Sequence, residues 1–170
     1  MEDLKPYLHA TRMKLLQEIS ALTDDEFNGM AGSGKWSIAQ VCHHLLKTEK
    51  LFLKALSFGV EHGDRLQPAR KPIQSVSDRS EKFPAPKVSE PDAGPFQVAQ
   101  IVQQLNDSRS NFIGFLDSIE PKSKLKEIAV NHPRFGDLPW INGLSCCICM
   151  SSGISSKSKT LNPRADSVLP

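Results

Sequence analysis

Trp36-Ser37-Ile38-Ala39-Gln40-Val41-Cys42-His43-His44-Leu45-Leu46-Lys47-Thr48-Glu49 opens the most telling helix of the chain. Ser37 has the chemistry of an N-cap. Ile38, Val41, Cys42, Leu45, Phe52 and Leu56 then recur at the three- and four-residue steps of an amphipathic helix, with Gly59 as its expected stop. On a wheel turning about 100° per residue, Ile38, Leu45 and Leu56 share one side, with Val41 and Phe52 beside them. Glu49 falls in the middle of that apolar face. His43 points the opposite way, toward solvent. His44 lies on the flank with Val41, Thr48 and Ala55, facing a neighbouring helix or a cleft. A carboxylate on a buried face is costly unless paired, so Glu49 is expected to have a partner, such as a backbone or Trp N–H.

Upstream, Leu4, Leu8, Leu15, Ile19 and Leu22 predict a first helix over residues 3 to 22, with Thr11 and Arg12 filling the gap in its stripe. Pro6 sits in the first turn, where its missing N–H costs little. Thr23-Asp24-Asp25-Glu26 has the capping-box pattern and starts a short helical turn. Gly29 to Lys35 reads as a loop. Downstream, residues 60 to 95 lose periodicity and gather Pro68, Pro72, Pro84, Pro86, Pro91 and Pro95, which predicts a long crossover. Val98, Ile101, Leu105, Ser108, Phe112, Phe115 and Ile119 mark the third long helix, ended by Pro121. Leu125 to Val130 is a short apolar bridge. His132 lies in a turn-rich segment, and Pro139 fits the first position of a fourth helix. No β pattern and no internal repeat stand out. The fold expected is all-α, a four-helix bundle with a long crossover between helices two and three.

The bulk properties fit this reading. A chain of 170 residues suits one domain. The net charge of +2 offers no nucleic-acid footprint. No apolar run approaches the ~20 residues that span a bilayer, and the acidic N-terminus lacks a signal core, so a cytoplasmic location is expected. Cys146, Cys147 and Cys149 do not have the paired spacing of a zinc site, and all four cysteines are read as reduced thiols.

The pattern breaks after Asn142. The fourth helix has only begun when Gly143-Leu144-Ser145-Cys146-Cys147-Ile148-Cys149-Met150 gives way to a Ser/Lys-rich tail with no histidine and a single acid, Asp166. The expected division is a helical domain over 1–150 and an aberrant, disordered tail over 151–170, frayed from about residue 152 because Gly153 and the serines are poor helix formers.

Residues 36–49 resemble the second-helix signature of the DinB-like family, in which a Trp-Ser start is followed eight residues after the Trp by His-Leu and then an acid. Asn131-His132-Pro133-Arg134-Phe135-Gly136-Asp137-Leu138 is similar to the His-Pro-x-Phe-Gly segment before that family's fourth helix. The resemblance covers residues 1 to 142. It implies a divalent zinc or nickel ion held by three histidines, one matching His44 and two spaced His-x-x-x-His on helix four. Histidines at that spacing share a helix face and leave a half-open site that can activate a water or a thiol. The implied activity is hydrolysis, or transfer of a low-molecular-weight thiol, on a small-molecule substrate; the resemblance names no catalytic side chain here. At the two helix-four positions this chain has Met150 and Ile154, so His44 is the one metal ligand retained.

A reading-frame shift accounts for the break. Reading one base back from Gly143, with suitable codons, yields a Trp and then Phe-Glu-Leu-Leu-His-Leu-His-Glu-Gln-Arg-His-Gln-Gln-Gln, whose two motif histidines fall opposite Met150 and Ile154. Met150 has a single codon, so its last base followed by an AGC or AGT serine forces the Glu of that run. The expectation is a DinB-like protein impaired by a frameshift. The competing readings are a non-enzymatic helical interaction module whose exposed groove takes a partner or a second copy, as a homodimer, and, ranked last, a thiol site joining Cys146, Cys147 and Cys149 to His44.

Overall fold

The computed structural model describes residues 5–30, 32, 34–62, 84–132 and 136–145. Helices α1 (Lys5–Ser20), α2 (Asp24–Asn28), α3 (Ile38–His62) and α4 (Val98–Ser118) are followed by a hairpin of β1 (Ala129–His132) and β2 (Gly136–Pro139). Residues 140–145 begin a further helix, α5. Two 3₁₀ turns, Lys87–Ser89 and Lys122–Glu127, lie in the connections. The architecture is the expected largely helical one.

Local chemistry starts α2 and α3. Thr23 Oγ1 accepts the Glu26 N–H at 3.3 Å while the Glu26 carboxylate accepts the Thr23 N–H at 2.9 Å. Ser37 and Gln40 repeat the reciprocal bond, at 3.1 and 3.0 Å. Two orphan donors are thereby satisfied at each start. α4 has no cap of its own. Asp24 Oδ1, reaching from α2, accepts the Val98 N–H at 2.8 Å and closes that end from another element.

The helices bury their stripes in two clusters. At one end Leu15, Leu16 and Ile19 of α1 meet Ile38, Cys42 and Leu45 of α3 and Val98, Ile101 and Leu105 of α4. At the other, Leu8 meets Leu56, Phe112, Leu116, Trp140 and Leu144. The pairing makes α1 antiparallel to both α3 and α4. It makes α3 and α4 parallel to each other, which is why the chain between them has to travel the length of the bundle.

Four details differ from the sequence reading. α3 runs through Gly59 to His62. A Cβ at Gly59 would stand 2.8 Å from Ile128 Cγ2, so this glycine lets the hairpin approach the helix rather than ending it. On α4 the buried face includes Arg109 and Leu116 while Phe115 is half-buried, because a strict 3.5-residue stripe drifts around a helix of 3.6 residues per turn. Pro139 ends β2 instead of opening a helix. The hairpin itself gives no sequence signal, since four-residue strands are too short for alternation to register. It is fixed by cross-strand pairing of Val130 and Leu138, both buried. The expected fraying of the tail lies outside the described residues, as do Met150, Ile154 and the cysteines Cys146, Cys147 and Cys149.

Candidate functional site

Ser37 caps α3 directly after Trp36, so Trp36 lies just outside the helix, near enough along the chain to reach the face that carries His44. The two rings meet, with centroids 5.1 Å apart at 50°. His44 is 9% exposed, and its Nδ1 lies 2.6 Å from the carbonyl oxygen of Ser89. A carbonyl can only accept, so Nδ1 carries the proton and the lone pair of the neutral ring sits on Nε2. Among the described residues no hydrogen bond reaches Nε2. A histidine oriented by a backbone carbonyl, with its other nitrogen free to bind, has the second-shell support typical of a metal ligand.

Ser89 belongs to the 3₁₀ turn at the end of the crossover, and neighbouring side chains of α3 clamp the same strap. Lys47 Nζ donates to the Glu90 carbonyl at 2.7 Å and to Asp92 Oδ1 at 2.8 Å. The Asp92 N–H donates to His43 Nδ1 at 3.1 Å, and the His43 ring packs on Phe96 at 4.8 Å. His43 is therefore not the solvated residue the helical wheel predicts: its side chain is 13% exposed. The wheel places it outside the bundle core, which is correct, but the crossover covers that side. Burial holds His43 below the usual imidazole range, partly offset by Asp92. The Lys47 hydrogen bond holds the Asp92 carboxyl below the usual carboxylate range.

Glu49 is buried on the apolar face of α3, as the wheel indicates, but its partners are guanidiniums rather than a backbone or Trp N–H. Its Oε2 accepts from Arg12 Nη2 at 2.7 Å and from Arg109 Nη2 and Nε at 2.7 and 3.1 Å. Arg109 also donates to the Leu8 carbonyl at 2.6 Å. Both arginines are under 5% exposed, and among the described residues Arg12 Nε and Nη1 and Glu49 Oε1 have no hydrogen-bond partner. Burial pulls the Arg12 guanidinium below its ordinary value, with Glu49 opposing. The triad forms a polar layer between the two apolar clusters. It carries one excess positive charge, and its register positions match α1, α3 and α4 to one another.

Sequence reasoning finds His44 and Glu49 but misses Arg12, Arg109, Ser89 and Asp92. A usable signal exists for the arginines. Arg12 lies four residues after Leu8 and three before Leu15, and Arg109 four after Leu105 and three before Phe112, where apolar residues are due. The other histidines carry nothing further: His9 is exposed, His62 stacks on Phe58 at the surface, and His132 closes β1. Among the described residues no three His, Cys, Asp or Glu side chains converge, and no helix is long and apolar enough to cross a membrane.

Comparison with known proteins agrees with the helical fold. The uncharacterized protein YuaE of Bacillus subtilis (strain 168) is 27% identical over 134 residues, spanning 77% of this chain and 82% of YuaE. The sequence pattern of the DinB superfamily matches residues 7–142, from the first helix to the last residue before the break. The chain belongs to the DinB superfamily.

Proposed function

We propose that this protein is a DinB-superfamily bundle built for metal-dependent hydrolysis or thiol transfer, in which the three-histidine centre is reduced to His44 and activity is impaired. The observation that carries this reading is the pinned imidazole: Nδ1 on the Ser89 carbonyl at 2.6 Å, the ring braced by Trp36, and Nε2 without a hydrogen bond among the described residues.

The described residues do not make up a metal site. One oriented imidazole is too few ligands for a zinc or nickel ion, which takes at least three from the protein in a half-open site. Met150 and Ile154 offer no imidazole. The loss follows from a shift of reading frame near codon 143, and the end of the family match at residue 142 supports that origin. The structure sets one condition on it. Gly143 packs on Phe52, and a Cβ there would also stand 2.8 Å from Val130 Cγ2, so the Trp of the neighbouring frame requires Phe52 to swing aside. Sequencing the gene across codons 140 to 165 tests the frame. Codons that spell His-Glu-Gln-Arg-His one base back are expected; any other spelling ends that part of the reading.

A further inference from the structure

The polar layer between the two apolar clusters holds two cations and one anion. Arg12, Glu49 and Arg109 come from α1, α3 and α4 and are 3%, 5% and 4% exposed. Every contact to the carboxylate falls on one oxygen. Glu49 Oε2 accepts from Arg12 Nη2 and Arg109 Nη2, each at 2.7 Å, and from Arg109 Nε at 3.1 Å. Arg109 has a second acceptor, the Leu8 carbonyl at 2.6 Å. Arg12 has none among the described residues, and its Nε and Nη1 are buried donors without an acceptor. The ionisable groups of the described residues that act on Arg12 are Glu49, Arg109 and Cys42, and the one carboxylate among them is Glu49. An arginine cannot shed its proton to relieve this position. Arg12 therefore calls for acceptors on two nitrogens and for one negative charge. A water meets the first need and not the second.

We propose that Arg12 binds one small monovalent anion of the halide class in the bundle interior, through its Nε and Nη1 donors. Charge sets the valence. One monovalent ion makes the layer neutral, whereas a dianion would leave it negative and still buried. Glu49 sets the strength. Its Oε1 also lacks a donor and repels an anion, so the ion is held on Arg12 and held weakly. A single atom needs the least room between close-packed helices and has no proton of its own to satisfy. Residues of α1, α3 and α4 meet in this layer only when the bundle is formed. The ion therefore binds the folded chain and not the unfolded one, and must stabilise the fold by mass action. This site does not depend on the reading of His44 or of the reading frame.

Urea unfolding of the purified full chain tests the site, with sodium chloride exchanged for sodium gluconate at constant ionic strength. Gluconate is too large for the layer. The unfolding equilibrium constant should fall saturably with chloride, by about tenfold at about 0.2 M for a dissociation constant of about 20 mM. Bromide should act in the same way. Arg12→Met removes the donors and the excess charge together, so it reports the general effect of exchanging the salts, and the saturable part should be gone. Glu49→Gln raises the excess from one charge to two, and its chloride response should exceed that of wild type. Should a variant fail to fold, the chloride NMR linewidth of the wild-type solution carries the test. Excess broadening that bromide competes away and urea abolishes is expected. A wild-type response equal to that of Arg12→Met would overturn the proposal and leave Arg12 to a water. A response that never saturates would mark a surface salt effect and overturn it as well. So would a Glu49→Gln response weaker than that of wild type, or a linewidth without excess broadening.

Discussion

At the scale of single residues, the most consequential group in the described structure is Glu49. It neutralises one of two guanidiniums that are otherwise in the bundle interior, so removing it leaves two buried cations facing each other. Glu49→Ala is expected to lower stability by about 3–5 kcal/mol, measured by urea unfolding. Replacing the whole triad with apolar side chains of similar size, as Arg12→Met/Glu49→Leu/Arg109→Met, should cost far less than Glu49→Ala, because no charge is then left unpaired. A triple variant less stable than Glu49→Ala would contradict the view that the layer fixes register more than it adds stability. Glu26 offers a pH test. The Thr23 N–H, and then the Thr23 hydroxyl, hold its carboxyl below the ordinary glutamate range. The folded state therefore binds the proton less readily than the unfolded one. The contribution is fully present above the unfolded value of about 4.3 and is lost as pH falls below it. Glu26→Gln keeps an acceptor for the Thr23 N–H but cannot titrate. Its urea midpoint should lie below that of wild type at neutral pH and approach it as pH drops under about 4. Legibility at this scale follows the number of elements involved. His44 could be read because Trp36 and His44 stand close together in the sequence, just before and within α3. The arginines could not, because α1, α3 and α4 must be brought together before either has a reason to be buried.

At the scale of elements, the capped helix starts were legible, and the places where one element leans on another were not. Thr23 and Ser37 advertise their helices within four residues of sequence. Gly59 reads as a stop from α3 alone, and only the approach of Ile128 explains why the helix continues through it. The two helical glycines should therefore respond oppositely to the same change. Gly114→Ala, with nothing within 4 Å of the new Cβ, should raise stability by about 0.5–1 kcal/mol through helix propensity alone. Gly59→Ala gains the same propensity but forces Ile128 or the hairpin to shift, and should lower stability by about 1–3 kcal/mol in the same thermal or urea measurement. Equal effects at the two positions would contradict the packing described here. His43 teaches the same lesson. A helical wheel fixes direction relative to one helix axis, and the crossover that returns over that side has no periodicity from which to foresee it.

At the scale of the whole molecule, the long Pro-rich segment was legible as a crossover because its length fits the passage between parallel helices at opposite ends of a bundle. The break after Asn142 is a reading of the sequence alone; among the described residues the last helix continues through Gly143 and buries Leu144. What the sequence could not reveal is how the crossover serves the site. Its final turn carries the carbonyl that fixes the His44 tautomer, so the connection and the candidate ligand are one unit. On this view, restoring the fourth helix restores the missing ligands to a position already prepared for them. The most direct test is the zinc and nickel content of purified protein by inductively coupled plasma mass spectrometry. The chain as it stands would be compared with one carrying the neighbouring-frame sequence from position 143 onward, with and without His44→Ala. Near one ion per restored chain, far less in the present chain, and loss on His44→Ala are the results expected. A full complement of tightly held metal in the present chain, or none in the restored one, would contradict the account.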